Sequence, residues 1–159
     1  MGIYNPRQTI IVTCRGKEMD DAVTLSWHSP ASFDPFMYAI FLATKRKSYE
    51  LIEESGEFCV NFLTDEMEEM AVLCGTKSGR DIDKFKEGNI KTEECEKINC
   101  LRIKGCVAYM ECRVEKTVLV GDHYMIVGAV LSEIENNKKP KLFQSNIKGP
   151  YTFGTVKSD

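Results

Sequence analysis

The sequence predicts a mainly β protein, a β-barrel with short helices, and three observations support this prediction. Six or more segments are rich in β-branched or other apolar residues, and most of them are joined by short polar turns. The two longest segments, 106–120 and 123–134, are separated only by Gly121 and Asp122, a pair typical of a tight hairpin. Helical spacing occurs in only two short segments, which is less helix than an alternating strand–helix fold needs.

The elements follow one another in a simple order along the chain. Strands are predicted at residues 8–15, 23–27, 36–44, 57–63, 106–120 and 123–134. The third of these strands is apolar on both faces, which predicts a position inside the sheet. A helix is predicted at 48–55, where Gly56 provides a C-terminal signal, and a second one from Thr64 or Asp65 to Gly75.

Three segments are expected to contain little regular structure. Residues 28–35 carry two prolines and several small polar residues, which break strands and helices. Residues 89–104 are charged and irregular, with short strand signals near Ile90 and Leu101. The tail, residues 135–159, is expected to form an ordered but irregular wrap. Proline and glycine interrupt it at Pro140, Gly149, Pro150 and Gly154.

Length and charge limit the classes of function. A chain of 159 residues suits one domain, so residues 1–159 are predicted to form a single unit. The net charge of −3 argues against nucleic-acid and anionic-membrane partners. No apolar run is long enough for a membrane span, and the first residues lack the apolar core of a signal peptide. A cytoplasmic location is therefore expected.

The cysteines predict no metal site. The chain has seven of them and no Cys-x-x-Cys pair, which argues against a zinc ribbon and a thioredoxin-type motif. A cluster held by Cys95, Cys100, Cys106 and Cys112 is conceivable, but these spacings match no known iron–sulfur pattern. Reduced thiols in a cytosolic interior are the expected state.

Residues 23–35 carry the first functional signal. A strand from Val23 runs into Trp27, the only tryptophan, and then into a loop of prolines and small polar residues. Hydroxyls, backbone N–H groups and an aromatic plane at one place suit a ligand with a flat ring and a polar tail. The alternative is that Trp27 belongs to the core and that the loop is only a turn.

Five segments, in this order along the chain, resemble the flavin reductase-like family, whose members bind FMN on a split β-barrel. They span about residues 8–135, and flavoredoxins are among the relatives they resemble most. The five segments are residues 24–30 (TLSWHSP), 45–48 (KRKS), 55–61 (SGEFCVN), 74–85 (CGTKSGRDIDKF) and 121–123 (GDH). Each is weak alone, but five in the family's order make a specific signal.

The resemblance implies that FMN is the cofactor, and the residues fit its chemistry. A dianionic phosphate needs positive charge and several hydrogen-bond donors. The candidates are Lys45, Arg46, Lys47 and Ser48, and Ser48 also opens the predicted helix, whose first N–H groups favour anions. The alternative is an exposed basic turn, which is common on protein surfaces.

For the flavin ring, the resemblance implies contacts with the strand at Thr24, Leu25, Ser26 and Trp27. Asn61, at the end of another strand, is a further candidate, and its alternative role is a strand-end cap. The family's loop that approaches the flavin, from the same or a partner subunit, contributes Ser78, Gly79, Asp83 and Lys84. The alternative for that loop is a solvated charged surface.

His123 is the candidate catalytic residue. In similar proteins a histidine after Gly-Asp lies near the flavin and the nicotinamide, where it orients the donor or stabilises charge on the reduced ring. The alternative is a residue selected for turn geometry. His28, which follows Trp27, is a weaker candidate.

The function implied by the resemblance is an NAD(P)H-dependent flavin or metal-complex reductase, with NADH or NADPH as the electron donor. The alternative is a flavoredoxin-like electron carrier that binds FMN tightly and does not oxidise NAD(P)H directly. The resemblance also implies a homodimer, and the carrier hypothesis adds a redox protein as partner.

Overall fold

The computed structural model describes residues 3–145 and 151–155, and this part of the chain is mostly β, as predicted. Its strands are β1 (Arg7–Gln8), β2 (Ile10–Arg15), β3 (Asp20–Leu25), β4 (His28–Phe33), β5 (Phe36–Ala43), β6 (Glu57–Phe62), β7 (Thr92–Glu94), β8 (Leu101–Ile103), β9 (Ala108–Val120), β10 (His123–Glu135), β11 (Phe143–Gln144) and β12 (Phe153–Gly154). Its α-helices are α1 (Lys47–Ser55), α2 (Glu68–Thr76) and α3 (Lys84–Glu87), and a 3-10 turn (Asp65–Met67) precedes α2.

Seven strands of the described residues form one antiparallel sheet in the order β3-β2-β6-β9-β10-β5-β4. The two ends of the sheet come together where β3 leads into β4, because the amide of Phe41 on β5 donates to the Trp27 carbonyl at 3.0 Å. Gly121 has φ of +60°, so the predicted hairpin turn between β9 and β10 is confirmed.

Alternation along the strands separates two apolar cores. Ile10 and Val12 of β2 face the inside of the barrel, where they pack with Phe58 and Ile126. Helix α1 adds Leu51 and Ile52 to this inner core. Other residues of the inner core are Val23, Ile40, Leu42, Val60 and Cys112. The interior of the barrel is therefore filled by side chains.

The opposite face of the sheet carries the second core. Ile11, the neighbour of Ile10 and Val12, points to this side and packs with Ala71 and Cys74 of α2. Residues 90–106 cover the same face and contribute Ile103 and other apolar side chains. The segment predicted to be irregular thus includes a small hairpin, in which β7 pairs with β8.

Several predicted boundaries change in the structure, and two of them are informative. Residues 28–33 form strand β4 instead of a loop, because an edge strand tolerates Pro30, whose missing N–H can face away from its single partner β5. Helix α2 ends at Thr76, one residue later than predicted. In the tail, β11 pairs with β1 and with β12, whereas Gly149 and Pro150 lie outside the described residues.

All seven cysteines lie in the described part of the chain as free thiols, and all except Cys95 are buried. Burial raises the pKa of Cys74, Cys106 and Cys112 to about 12, so these thiols stay protonated near neutral pH. None of the described helices is long and apolar enough to span a membrane.

Candidate functional site

Three adjoining cavities form one groove on the described surface. A basic cavity of about 210 Å³ meets a middle cavity of about 180 Å³ at Arg46, which lines both. The middle cavity meets an apolar cavity of about 400 Å³ at Trp27, Phe41 and His123, which line these two. The groove thus has a charged end and an aromatic end.

The basic end is built by the short connection between β5 and α1. The Arg46 amide donates to the Ala43 carbonyl at 3.0 Å, which turns the chain sharply and places Lys45, Arg46 and Lys47 at the start of α1. No side chain caps this helix start, and its first two residues, Lys47 and Ser48, line the cavity. Lys77 lines the same cavity.

The Ser48 side chain has a different partner from the one predicted. Its hydroxyl donates to Asp21 Oδ2 at 2.6 Å, and both side chains are buried. Lys84 Nζ lies 3.1 Å from the other oxygen of Asp21 and also donates to the Ala22 carbonyl at 2.5 Å. Ser48 and Lys84 therefore line the basic cavity as parts of a buried network, with their polar atoms already engaged.

The loop after α2 closes one side of the basic cavity. Ser78 and Gly79 line it, and they belong to the same chain as α1. A Cβ atom at Gly79 would lie 2.7 Å from Asp21 Oδ1, so only glycine lets the loop backbone lie against this carboxylate. Asp83 instead caps α3, where it accepts from the amides of Phe85 and Lys86. It lines a different cavity, of about 690 Å³, bounded by residues 18–20 and 89–92.

In the middle cavity, the predicted strand residues Thr24, Leu25 and Ser26 line one wall. The Thr24 hydroxyl is engaged in the fold, because it donates to the Ala71 carbonyl at 2.5 Å. Arg46 reaches across to donate to the Gly75 carbonyl at 3.0 Å. Tyr151 donates to the same carbonyl, also at 3.0 Å, and lines the cavity.

At the aromatic end, the rings of Trp27 and His123 stack with their centroids 4.8 Å apart. Trp27 is 41% exposed, so it is not the core residue that the alternative interpretation required. His123 Nδ1 lies 2.7 Å from Asp122 Oδ1, and this hydrogen bond lowers the pKa of Asp122. An ionised Asp122 accepts, so Nδ1 carries the proton and Nε2 is the second polar atom of the ring.

The structure does not bring Asn61 into the groove. Its side chain is fully buried, where it donates to the Ile11 carbonyl at 3.0 Å and accepts from the Ile103 amide at 2.8 Å. His28 is also structural: it bonds to Tyr38 and to the Gln8 carbonyl, and burial lowers its pKa.

Several groove residues were absent from the sequence prediction. They are Tyr4, Arg7, Asp21, Phe41, Ala43, Lys77, Val120, Asp122, Gln144 and Tyr151. Arg7, for example, donates from Nε to the Ser26 carbonyl at 2.8 Å and so supports the wall of the groove. The sequence held one usable signal, since Phe41 alternates with inward-facing Ile40 and Leu42 and must point to the other side of β5.

Comparison with known proteins adds independent findings. A sequence model described as the flavin reductase like domain matches residues 1–149. A reductase subunit of a flavin-dependent monooxygenase, HsaB from Mycobacterium tuberculosis, is 36% identical over 117 residues, which are 71% of this chain and 58% of that protein.

Two solved structures share the fold. Flavoredoxin from Methanosarcina acetivorans superposes with a TM-score of 0.87 at 25% identity, covering 100% of this chain and 89% of that one. An FMN-binding protein from Thermus thermophilus, solved with 1-cyclohex-2-enone, superposes with a TM-score of 0.86 at 21% identity, covering 96% and 88%. These likenesses confirm the barrel fold predicted from the five segments.

Proposed function

Because this chain belongs to the flavin reductase-like family, we propose that it binds FMN and acts as an NAD(P)H-dependent reductase of a flavin or a metal complex. The observation that carries this proposal is the groove, whose basic end and aromatic end are joined by one middle cavity. A ligand that suits both ends has an anionic group, a polar chain and a flat ring in that order. FMN has this form.

The basic cavity supplies what a terminal phosphate needs. Lys45, Arg46, Lys47 and Lys77 line it and provide positive charge. The uncapped start of α1 adds backbone N–H donors and the positive end of the helix dipole. Ser48 would contribute its backbone N–H only, since its hydroxyl is engaged with Asp21.

The middle cavity suits the polar edge of the flavin ring. Leu25 and Ser26 line it from the end of β3, which lies at the edge of the main sheet among the described strands. The outer side of an edge strand presents backbone N–H and C=O groups that a ligand can use. This arrangement supports the predicted role of the Thr24–Trp27 segment through its backbone, with the Thr24 hydroxyl retained by Ala71.

A bound flavin supplies the redox chemistry, so the protein needs no nucleophile of its own. The apolar cavity next to the ring site would hold a planar donor against Trp27 and Phe41 and exclude water from it. His123 is positioned by stacking on Trp27 and by its bond to Asp122, so its Nε2 can orient a polar group of the donor. This is a positioning role at the reacting centre.

Anaerobic mixing of the FMN-loaded protein with NADH and, separately, with NADPH tests the proposal. We expect one of the two to bleach the flavin absorbance band. If neither nicotinamide bleaches the flavin while a chemical reductant does, the reductase function is wrong and the carrier function is favoured.

The second candidate function is a flavoredoxin-like electron carrier with tightly bound FMN. The observation in its favour is the likeness to flavoredoxin, which extends over the whole of this chain. In that case the half-exposed aromatic end would contact a redox protein instead of a nicotinamide. Retention of FMN through extensive dialysis, together with no oxidation of NAD(P)H, distinguishes it.

We also propose a homodimer in the cytoplasm. Tyr4, Trp27, Leu119 and Val120 are between 41% and 59% exposed, and apolar side chains of this size on a surface favour a protein interface. The free and mostly buried thiols fit a reducing compartment. Light scattering of the FMN-loaded protein checks the dimer, and a monomer at micromolar concentration would contradict it.

A further inference from the structure

We propose that the loop of residues 77–84 closes the far side of the basic cavity, which is the proposed phosphate site and is called the phosphate cavity below. Arg80 holds this loop against α1, and the closure selects FMN over FAD. The inference rests on the proposed FMN site and adds the element that limits the length of the ligand. FAD carries an adenylate group beyond the position where the phosphate of FMN ends. A closed wall at that position would exclude the adenylate, whereas an open one would let it extend over the surface.

The cavity is bounded on two sides by different parts of the chain. Lys45 to Ser48 form one side, and Lys77 to Gly79 form the other. Its volume of about 210 Å³ is half that of the open aromatic end, which measures about 400 Å³. The phosphate end is therefore a small compartment between a helix start and a loop, and the adenylate half of FAD is far larger than a phosphate.

The base of the loop is held by a buried ion pair. Lys84 Nζ and Asp21 Oδ1 are 3.1 Å apart, and the two side chains are only 3% and 2% exposed. Gly79 packs its backbone directly against the same carboxylate. Because a buried pair is costly to break, the loop has a fixed end from which it extends toward α1.

Arg80 makes the connection across the cavity. Its Nη1 donates to the Lys45 carbonyl at 3.0 Å, and its Nη2 pairs with Glu50 of α1. Within the loop, the backbone amide of Arg80 donates a hydrogen bond to Ser78 Oγ at 3.1 Å. The guanidinium group of Arg80 thus links the loop to Lys45, just before α1, and to Glu50 within α1.

Arg80 itself does not line the phosphate cavity, although its neighbours Ser78 and Gly79 do. Replacing it therefore opens the wall without removing a predicted phosphate contact. The Arg80–Glu50 pair is about half exposed, with side-chain exposures of 45% and 48%, so it is a fastening that can be removed without unfolding the chain.

The test compares Arg80→Ala and Arg80→Lys with the wild type by equilibrium titration of FMN, FAD and riboflavin. We expect Arg80→Ala to lower the ratio of FMN affinity to FAD affinity about fivefold, through tighter FAD binding, the size expected for a lost exposed pair and a lost hydrogen bond. Arg80→Lys, which keeps the positive charge, should retain part of the preference. Arg113→Ala, an exposed arginine on β9, is the matched control and should leave the ratio unchanged.

Equal changes in FMN and FAD affinity, or an unchanged affinity ratio in Arg80→Ala, would overturn the inference while leaving the FMN site intact. Wild-type protein that binds FAD as tightly as FMN would also overturn it. Wild-type protein that binds none of the three flavins would overturn the proposed function, and the inference with it.

Discussion

The two ends of the groove are built in opposite ways. At the basic end, called the phosphate end below because the phosphate of FMN is proposed to bind there, Ser48, Asp21 and Lys84 form a buried network with hydrogen bonds and an ion pair. At the aromatic end, called the ring end below, Trp27 and His123 are held by ring stacking and remain partly exposed. Under the proposed function, the first end would fix the position of the cofactor, whereas the second would leave room for a reaction partner.

The difference matters because the energies involved are unlike. Removing one partner of a buried ion pair lowers the free energy of unfolding strongly. The network at the phosphate end is therefore expected to keep one fixed arrangement. Exposed aromatic contacts cost little to rearrange, so the side chains of the ring end can move without unfolding the chain. Variants at the first end should therefore change stability and affinity, and variants at the second end should change rates.

The largest effect is expected for Lys84→Met. It leaves Asp21 buried without its ion-pair partner, which should lower the free energy of unfolding by about 3–5 kcal/mol. Urea denaturation of the FMN-free protein measures it. Lys86→Met is the matched control, because Lys86 is 87% exposed and its loss should cost less than about 0.5 kcal/mol. A cost below about 1 kcal/mol for Lys84→Met would show that the phosphate end is not fixed by this network.

Arg46→Ala should have the next largest effect, on affinity. Arg46 lines both the basic and the middle cavity, so its loss should weaken FMN by about 1.5–3 kcal/mol. The affinity for riboflavin should fall much less, because riboflavin has no phosphate. Fluorescence titration with both ligands separates the two effects, and Lys17→Ala, which removes an 84% exposed charge, serves as the control. Equal weakening of both ligands would move the phosphate site elsewhere.

At the ring end, His123→Ala should slow anaerobic reduction about tenfold, equivalent to about 1.4 kcal/mol of activation free energy, while FMN affinity changes little. The reason is that His123 lines the apolar and middle cavities and lies outside the basic one, where the charged contacts to the phosphate are proposed. Stopped-flow absorbance and a parallel FMN titration measure the two quantities. His123→Gln, which keeps a polar group there, should be less impaired. A loss of FMN affinity with an unchanged rate would reverse the roles assigned to the two ends.

The smallest effect concerns His28, the neighbour of Trp27 that supports the fold. Its pKa is lowered in the folded state, chiefly because burial disfavours the charged form. The unfolded chain therefore binds the proton first, so this contribution is complete above about pH 6.5 and is lost as the pH falls toward the folded pKa. Urea denaturation of wild type and His28→Gln between pH 7.5 and about pH 5 should show a smaller acid loss in the variant. Identical slopes would remove His28 from the account.

The sequence predicted the residues that line the basic end more completely than those that line the aromatic end, for a physical reason. The basic run at residues 45–48 and the glycine-containing loop at 74–85 are local patterns, so their charge and conformation are visible in the chain itself. The ring end is assembled from Tyr4, Trp27, Phe41 and other residues far apart in sequence, and only the barrel brings them together.

Two errors show what local patterns cannot decide. Asn61 was predicted to contact the cofactor, but its neighbours Val60 and Phe62 face the barrel interior, so alternation turns Asn61 to the second core. The 28–35 segment was predicted to be a loop because of its prolines. Its place at the edge of the sheet made a strand compatible with Pro30, and edge position depends on the whole topology.

A crystal structure of the protein with FMN tests the central claim most directly. We expect the phosphate between the start of α1 and Lys77, and the flavin ring in the middle cavity, against the Thr24–Trp27 segment and beside the stacked Trp27–His123 pair. FMN bound in the opposite direction, or in the cavity bounded by residues 18–20 and 89–92, would contradict it.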